Sequence, residues 1–66
     1  RPEEGVVATL TLMRGAHYLT VSLEQEALGW VVRFAMDEFG NTVVLTEQER
    51  SEAIERASTG EDETGR

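Results

Sequence analysis

The residues of this sequence that could do chemistry are a single histidine, His17, and a few pairs of carboxylates. Acid–base or nucleophilic catalysis needs a nucleophile, a base and a group that orients the base. His17 begins a segment of alternating apolar residues, which is more typical of a partly buried structural histidine than of a general base. The pairs Glu24/Glu26 and Asp37/Glu38 fall in turn-like segments, where we expect them to be solvated. We therefore predict that the protein is not an enzyme.

Metal and cofactor sites have no recognisable ligand set. Zinc needs three or four suitable ligands, and the chain has one histidine and no cysteine. The segment "DEFGN" at residues 37–41 lacks the alternating acids and terminal glutamate of a calcium loop. The six glycines are scattered rather than gathered into a phosphate-binding loop. The acids at 61–63 would hold divalent ions only weakly, and we predict no cofactor.

Composition narrows the possible partners. The 66 residues carry 13 acids and six bases, all arginine, for a net charge of −7. Direct binding to DNA or RNA is not expected, because phosphate recognition needs clustered positive charge. No apolar run is long enough to span a membrane and no signal peptide is visible, so a cytoplasmic location without membrane contact is the expectation. A chain this short buries only ~60% of its unfolded surface, and such domains often oligomerise.

Two segments near the start alternate with a period of two, which predicts β-strands. Residues 6–14 place Val6, Ala8, Leu10 and Leu12 on one face. Residues 17–23 do the same with His17, Leu19, Val21 and Leu23. The intervening Gly15-Ala16 predicts a hairpin.

Residues 22–39 leave two alternatives open. Ser22 and Gln25 could form a capping box, which would start a long helix ending at Gly40. If the segment is a strand instead, its apolar residues fall more consistently on one face. One face then carries Trp30, Val32, Phe34 and Met36. We favour the strand.

The rest of the chain predicts a turn, a short strand and a helix. Residues 37–41 have turn chemistry, and "TVVL" at 42–45 predicts a fourth strand. Thr46 and Glu49 fit a capping box, so we expect a helix over residues 47–57, with an ion pair between Glu52 and Arg56. The fold class is α+β, a small antiparallel β-meander of three to four strands followed by one C-terminal helix. Residues 1–5 form a flexible lead-in, 6–57 the domain and 58–66 a disordered acidic tail.

A mismatch between sheet and helix gives the main functional hypothesis. The helix offers only Ala53, Ile54 and Ala57 against a much larger apolar sheet face. Uncovered apolar area of that size implies a partner. We expect a non-catalytic protein-interaction module, a homodimer through this face. The predicted interface comprises Leu10, Leu12, Leu19, Val21, Trp30, Val32, Phe34, Met36 and Ile54.

The alternative function is an acidic inhibitor that mimics nucleic acid and occupies a DNA- or RNA-binding protein. Its motive is the net charge and the acids along the predicted helix, although Arg50 and Arg56 interrupt them. The acidic surface would comprise Glu47, Glu49, Glu52 and Glu55. Salt should release a partner held by such a surface far more than one held by an apolar face.

The stretch "DEFGNTVVLTEQERSEAIERA" resembles the ends of many small proteins from phages and mobile elements. The shared features are a hairpin, an LT-x-x-E cap and an acidic helix, over 21 of the 66 residues. The resemblance implies no activity. It favours a phage- or plasmid-encoded accessory protein.

Overall fold

A computed structural model describes residues 4–60. Within this range the chain forms β1 (Val7–Arg14), β2 (His17–Glu26), β3 (Gly29–Asp37) and then α1 (Glu47–Ser58). The strands form one antiparallel sheet in the order β1-β2-β3. The predicted α+β fold, a meander followed by a C-terminal helix, is confirmed. No helix in the described part of the chain is long and apolar enough to cross a membrane.

Two tight hairpins connect the strands. Gly15 has φ +62° and Ala16 has a negative φ, the pattern of a type II′ turn, and it closes the Arg14–His17 pair. The second hairpin closes the pair Glu26–Gly29. The alternative of a long helix over residues 22–39 is therefore wrong. Gly29 has φ +127°, outside the helical region, and β-branched and aromatic residues follow it.

A bulge interrupts β3 at Arg33. Leu23 pairs with Val32, but the preceding residue of β2, Ser22, pairs with Phe34, which leaves Arg33 as the extra residue. Because side chains alternate along a strand, one extra residue moves every later side chain to the opposite face.

The bulge overturns part of the predicted face. Trp30 and Val32 do pack against the core, as predicted. Phe34 and Met36 do not lie beside them, and the buried residue after the bulge is Ala35, with 2% of its surface exposed. Phe34 is 43% exposed. Strict alternation through Arg33 was the wrong assumption.

The predicted fourth strand is replaced by a short return of the chain along β3. Thr42 forms an isolated bridge with Met36, and the Val43 amide donates to the Ala35 carbonyl at 2.9 Å. The Asp37 amide likewise donates to the Asn41 carbonyl at 2.9 Å. These bonds cover one end of the outer edge of β3, where unpaired backbone groups would otherwise face solvent.

The helix begins as predicted and ends one residue later, at Ser58. The Thr46 hydroxyl accepts from the Glu49 amide at 3.1 Å, and the Glu49 carboxylate accepts from the Thr46 amide at 2.9 Å. The capping box is thus confirmed, and so is the ion pair of Glu52 with Arg56, at 3.9 Å. The predicted acidic tail lies outside the described residues from 61 onward. Residues 1–3 of the predicted lead-in also lie outside them, while the Gly5 amide donates to the Gln25 carbonyl.

The helix covers the inner face of the sheet more completely than its composition led us to expect. Ala53 and Ala57 are 0% and 5% exposed, and small side chains let a helix lie close to a sheet. Leu45, in the segment before the helix, fills part of the remaining space. Beneath them lie the strand residues that are at most 2% exposed: Ala8, Leu10, Leu12, Leu19, Val21, Leu23 and Ala35. The prediction that this face stays uncovered within one chain is wrong.

Candidate interaction surface

The opposite side of the sheet has no helix across it among the described residues, and we call it the open face. Strand alternation and the bulge in β3 define its members. These are Val7, Thr9, Thr11, Met13, Tyr18, Thr20, Ser22, Glu24, Glu26, Val31, Arg33, Phe34 and Met36.

Large apolar side chains on the open face are well exposed. The exposed fraction is 41% for Val7, 64% for Met13, 47% for Tyr18, 50% for Val31 and 43% for Phe34. Isolated apolar residues on a surface are ordinary, but a contiguous apolar patch marks an interaction site. Leu28, Phe39 and Val44 are even more exposed, but they lie in turns and connections away from this patch.

The side chains of the open face differ in size from one strand to the next. Cross-strand pairing places Thr9, Ser22 and Phe34 in one row, and Thr11, Thr20 and Met36 in the next. Large side chains therefore form a ridge along β3, made of Val31, Phe34 and Met36. Small hydroxyl side chains form a trough along the middle of β1 and β2, made of Thr9, Thr11, Thr20 and Ser22.

The open face carries two acids, Glu24 and Glu26, and one base, Arg33, which pairs with Glu24. Arg33 Nε lies 3.7 Å from Glu24 Oε1, and the Arg33 guanidinium lies 5.9 Å from the centre of the Phe34 ring. The bulge explains this arrangement. Because Arg33 is the extra residue, it lies on the same face of β3 as Phe34, whereas consecutive strand residues ordinarily point to opposite faces.

The residues predicted as an interface separate into three groups. Leu10, Leu12, Leu19 and Val21 lie in the chain's own core. Trp30, Val32 and Ile54 are half-buried against that core. Phe34 and Met36 lie on the open face. The sequence interpretation missed the remaining open-face residues, although apolar residues at alternate positions such as Val7, Met13 and Val31 were a visible signal.

A groove of about 380 Å³ lies at the end of the sheet beside the first hairpin. Its lining comprises Arg14, His17, Leu19, Asp37, Glu38, Phe39 and Val43. His17 Nδ1 lies 2.8 Å from Glu38 Oε2, which resembles a base and its orienting group. The seven lining residues include no hydroxyl or thiol that such a pair could activate.

His17 is more exposed than predicted, with 64% of its side chain accessible. Its burial was expected because it starts an apolar stretch, but it occupies the last pair of the hairpin, beyond the covered part of the sheet. The hydrogen bond and charge of Glu38 raise the pKa of His17 above its ordinary value of 6.5. Asp37 adds to the same effect and also fixes the turn, where its carboxylate accepts from the amides of Phe39 and Asn41 at 2.9 Å each.

The predicted acidic surface contains one carboxylate that is engaged inside the fold. Glu49 accepts from the Arg14 guanidinium at 2.6 and 2.9 Å, and a third Arg14 hydrogen bond reaches the Val44 carbonyl. The arginine lowers the pKa of Glu49 to about 2. Glu47, Glu52 and Glu55 are exposed, and Glu52 is paired with Arg56. The helix therefore presents a weaker acidic surface than its sequence implies.

Comparison with known protein families, with curated proteins and with solved structures finds no match for this chain. Among residues 4–60, no group of three histidine, aspartate or glutamate side chains is placed to hold a metal ion.

Proposed function

We propose that this chain is a small, non-catalytic protein-interaction module that binds another protein chain through the open face. The observation that supports the proposal is the presence on that face of five large apolar side chains, each more than two-fifths exposed. Burying them would stabilise a complex at ~25 cal/mol per Å² of apolar area. A cytoplasmic location and an origin in a phage or mobile element stay sequence-based predictions.

The test is affinity capture from a lysate of the source cells with three forms of the protein, washed at low and at high salt. We expect the wild type and Val44→Asp to retain the same partner at both salt concentrations, and Phe34→Asp to lose it. Val44 is the matched control because it is 83% exposed but lies outside the open face. Circular dichroism verifies that each variant is folded.

The acidic-mimic alternative makes the opposite prediction. Its partner would be a nucleic-acid-binding protein, would be released at high salt, and would be lost when Glu47, Glu52 and Glu55 are changed to glutamine. Retention by Phe34→Asp together with loss by the glutamine variant would replace our proposal with this one.

A further inference from the structure

We infer that the occupant of the open face is a second copy of this chain, in a two-fold dimer that stacks sheet on sheet. The inference rests on the proposed function, since it names the partner of the same surface. Its support comes from the shape of the face and from the distribution of charge over the molecule.

The relief of the open face is self-complementary. In a two-fold dimer each copy presents the same patch to the other, so a ridge on one side needs a trough on the other. The β3 ridge of Val31, Phe34 and Met36 runs beside the trough of Thr9, Thr11, Thr20 and Ser22. A two-fold axis between the copies can therefore seat each ridge in the opposing trough. Face-to-face sheets pack in this manner, ~10 Å apart.

Charge favours the open face over other surfaces for contact between identical chains. Each chain carries a net charge of −7, so most surfaces of two copies repel each other. The open face carries two acids, Glu24 and Glu26, and one base, Arg33, and Glu24 forms an ion pair with Arg33. Two acids against one base leave this face a net charge of −1, small beside the −7 of the chain, so two such faces meet with little repulsion. The exposed helix acids stay on the far side of each sheet.

The size of the face sets the expected strength. Three strands of about eight residues, ~4.8 Å apart with ~3.4 Å per residue, give a flat area of roughly 15 by 30 Å. Standard stable interfaces bury about 800 Å² of accessible surface per partner, so a footprint of this size corresponds to an interface at the small end of that class. We therefore expect a dissociation constant in the micromolar range, and measurements must extend from about 10 μM to about 1 mM.

Sedimentation equilibrium of the full chain over that range tests the inference. We expect a reversible monomer–dimer equilibrium that Phe34→Asp weakens about ten-fold or more and Val44→Asp leaves unchanged. A monomer at every concentration would overturn the inference. The proposed function would then stand or fall separately, by whether Phe34→Asp abolishes capture of a different protein. A dimer unaffected by Phe34→Asp would overturn the inference and also count against the open face as the working surface.

A charge-exchange experiment identifies the face independently of apolar substitutions. Arg33→Glu gives an open face with three acids and no base, and Glu24→Arg gives one with two bases and one acid, Glu26. We expect the mixture to dimerise at least about ten-fold more tightly than either variant alone. The matched control is a mixture of Arg50→Glu and Glu47→Arg, which makes the same charge changes on exposed helix residues. Equal behaviour of the two mixtures would overturn the inference.

Discussion

Glu49 connects the start of the helix to the first hairpin. Its carboxylate accepts from the Thr46 amide within the capping box and from two guanidinium nitrogens of Arg14 at the end of β1. These donors favour the charged carboxylate, which explains why the pKa of Glu49 falls to about 2 from an ordinary value of 4.5. A group with a lowered pKa in the folded state stabilises that state at neutral pH.

Glu49→Gln separates the charge of Glu49 from its capping role, since glutamine can also complete a capping box. We expect a loss of up to about 1 kcal/mol in the free energy of unfolding at pH 7, the range for a partly exposed ion pair. The stability from the charge is present above pH 4.5 and is lost as the pH falls toward 2, so the difference between variant and wild type should disappear there. Urea denaturation at pH 7, 4 and 2.5 measures it. A stability difference of equal size at pH 7 and 2.5 would show that the charge of Glu49 is not its source.

The ion pair of His17 with Glu38 predicts a pH dependence of stability that is opposite in sign to that of Glu49. Because the pKa of His17 is raised in the folded state, its contribution to stability is complete below pH 6.5 and is lost as the pH rises through the raised pKa. Titration of the imidazole by NMR should give a pKa above 6.5 in the wild type and a lower value in Glu38→Gln. An identical pKa in the two proteins would show that the contact at 2.8 Å does not persist in solution.

At the scale of elements, the bulge at Arg33 decides which half of β3 faces the core. Ala35 is 2% exposed and Phe34 is 43% exposed, the reverse of what uninterrupted alternation gives. We expect Ala35→Asp to lower the free energy of unfolding by at least ~3 kcal/mol, because it places a charge in the core. Phe34→Asp should cost much less in a dilute monomer, because its side chain already reaches solvent. Thermal denaturation at low micromolar concentration compares the stabilities of the two variants. If Phe34→Asp proved the more destabilising, the bulge at Arg33 would be contradicted.

Local chemistry explains which elements could be predicted from the sequence. Alternation in "VATLTLMR" and "HYLTVSL", the Gly15-Ala16 turn and the Thr46–Glu49 cap each depend on residues close together in the chain. The bulge depends on the pairing of β3 with β2 and leaves no local signature in "WVVRFAM". One unseen extra residue moved Phe34 and Met36 from the predicted face to the open face. The predicted interface residues of β1 and β2 failed for a different reason, since they lie in the chain's own core.

How completely the core is covered also depends on the tertiary structure. From the sequence we expected Ala53 and Ala57 to cover the apolar sheet face poorly, because their side chains are small. In the fold both alanines are buried in the same core cluster as the strand leucines and valine, because small side chains let a helix lie close to a sheet. Counting side chains without the distance between elements overestimated the uncovered area.

At the scale of the whole molecule, charge and apolar surface lie on opposite sides of the sheet. The helix side carries exposed acids such as Glu47, Glu52 and Glu55, whereas the open face carries two acids and one base, with a net charge of −1. A molecule divided in this way can associate through one side and keep the other hydrated. The net charge of −7 then limits association through general repulsion rather than through local contacts.

This division predicts the sign of the salt dependence. Two chains of charge −7 repel each other at low ionic strength, and salt shortens the reach of that repulsion to ~10 Å at 0.1 M. The apolar contact itself is not weakened by screening, so the dimer should tighten as sodium chloride rises from about 20 mM to about 500 mM. Sedimentation equilibrium across this series measures the dissociation constant. An association that weakens steeply with salt would instead assign the contact to attraction between opposite charges, as in a complex formed by the acidic helix surface with Arg residues of another copy.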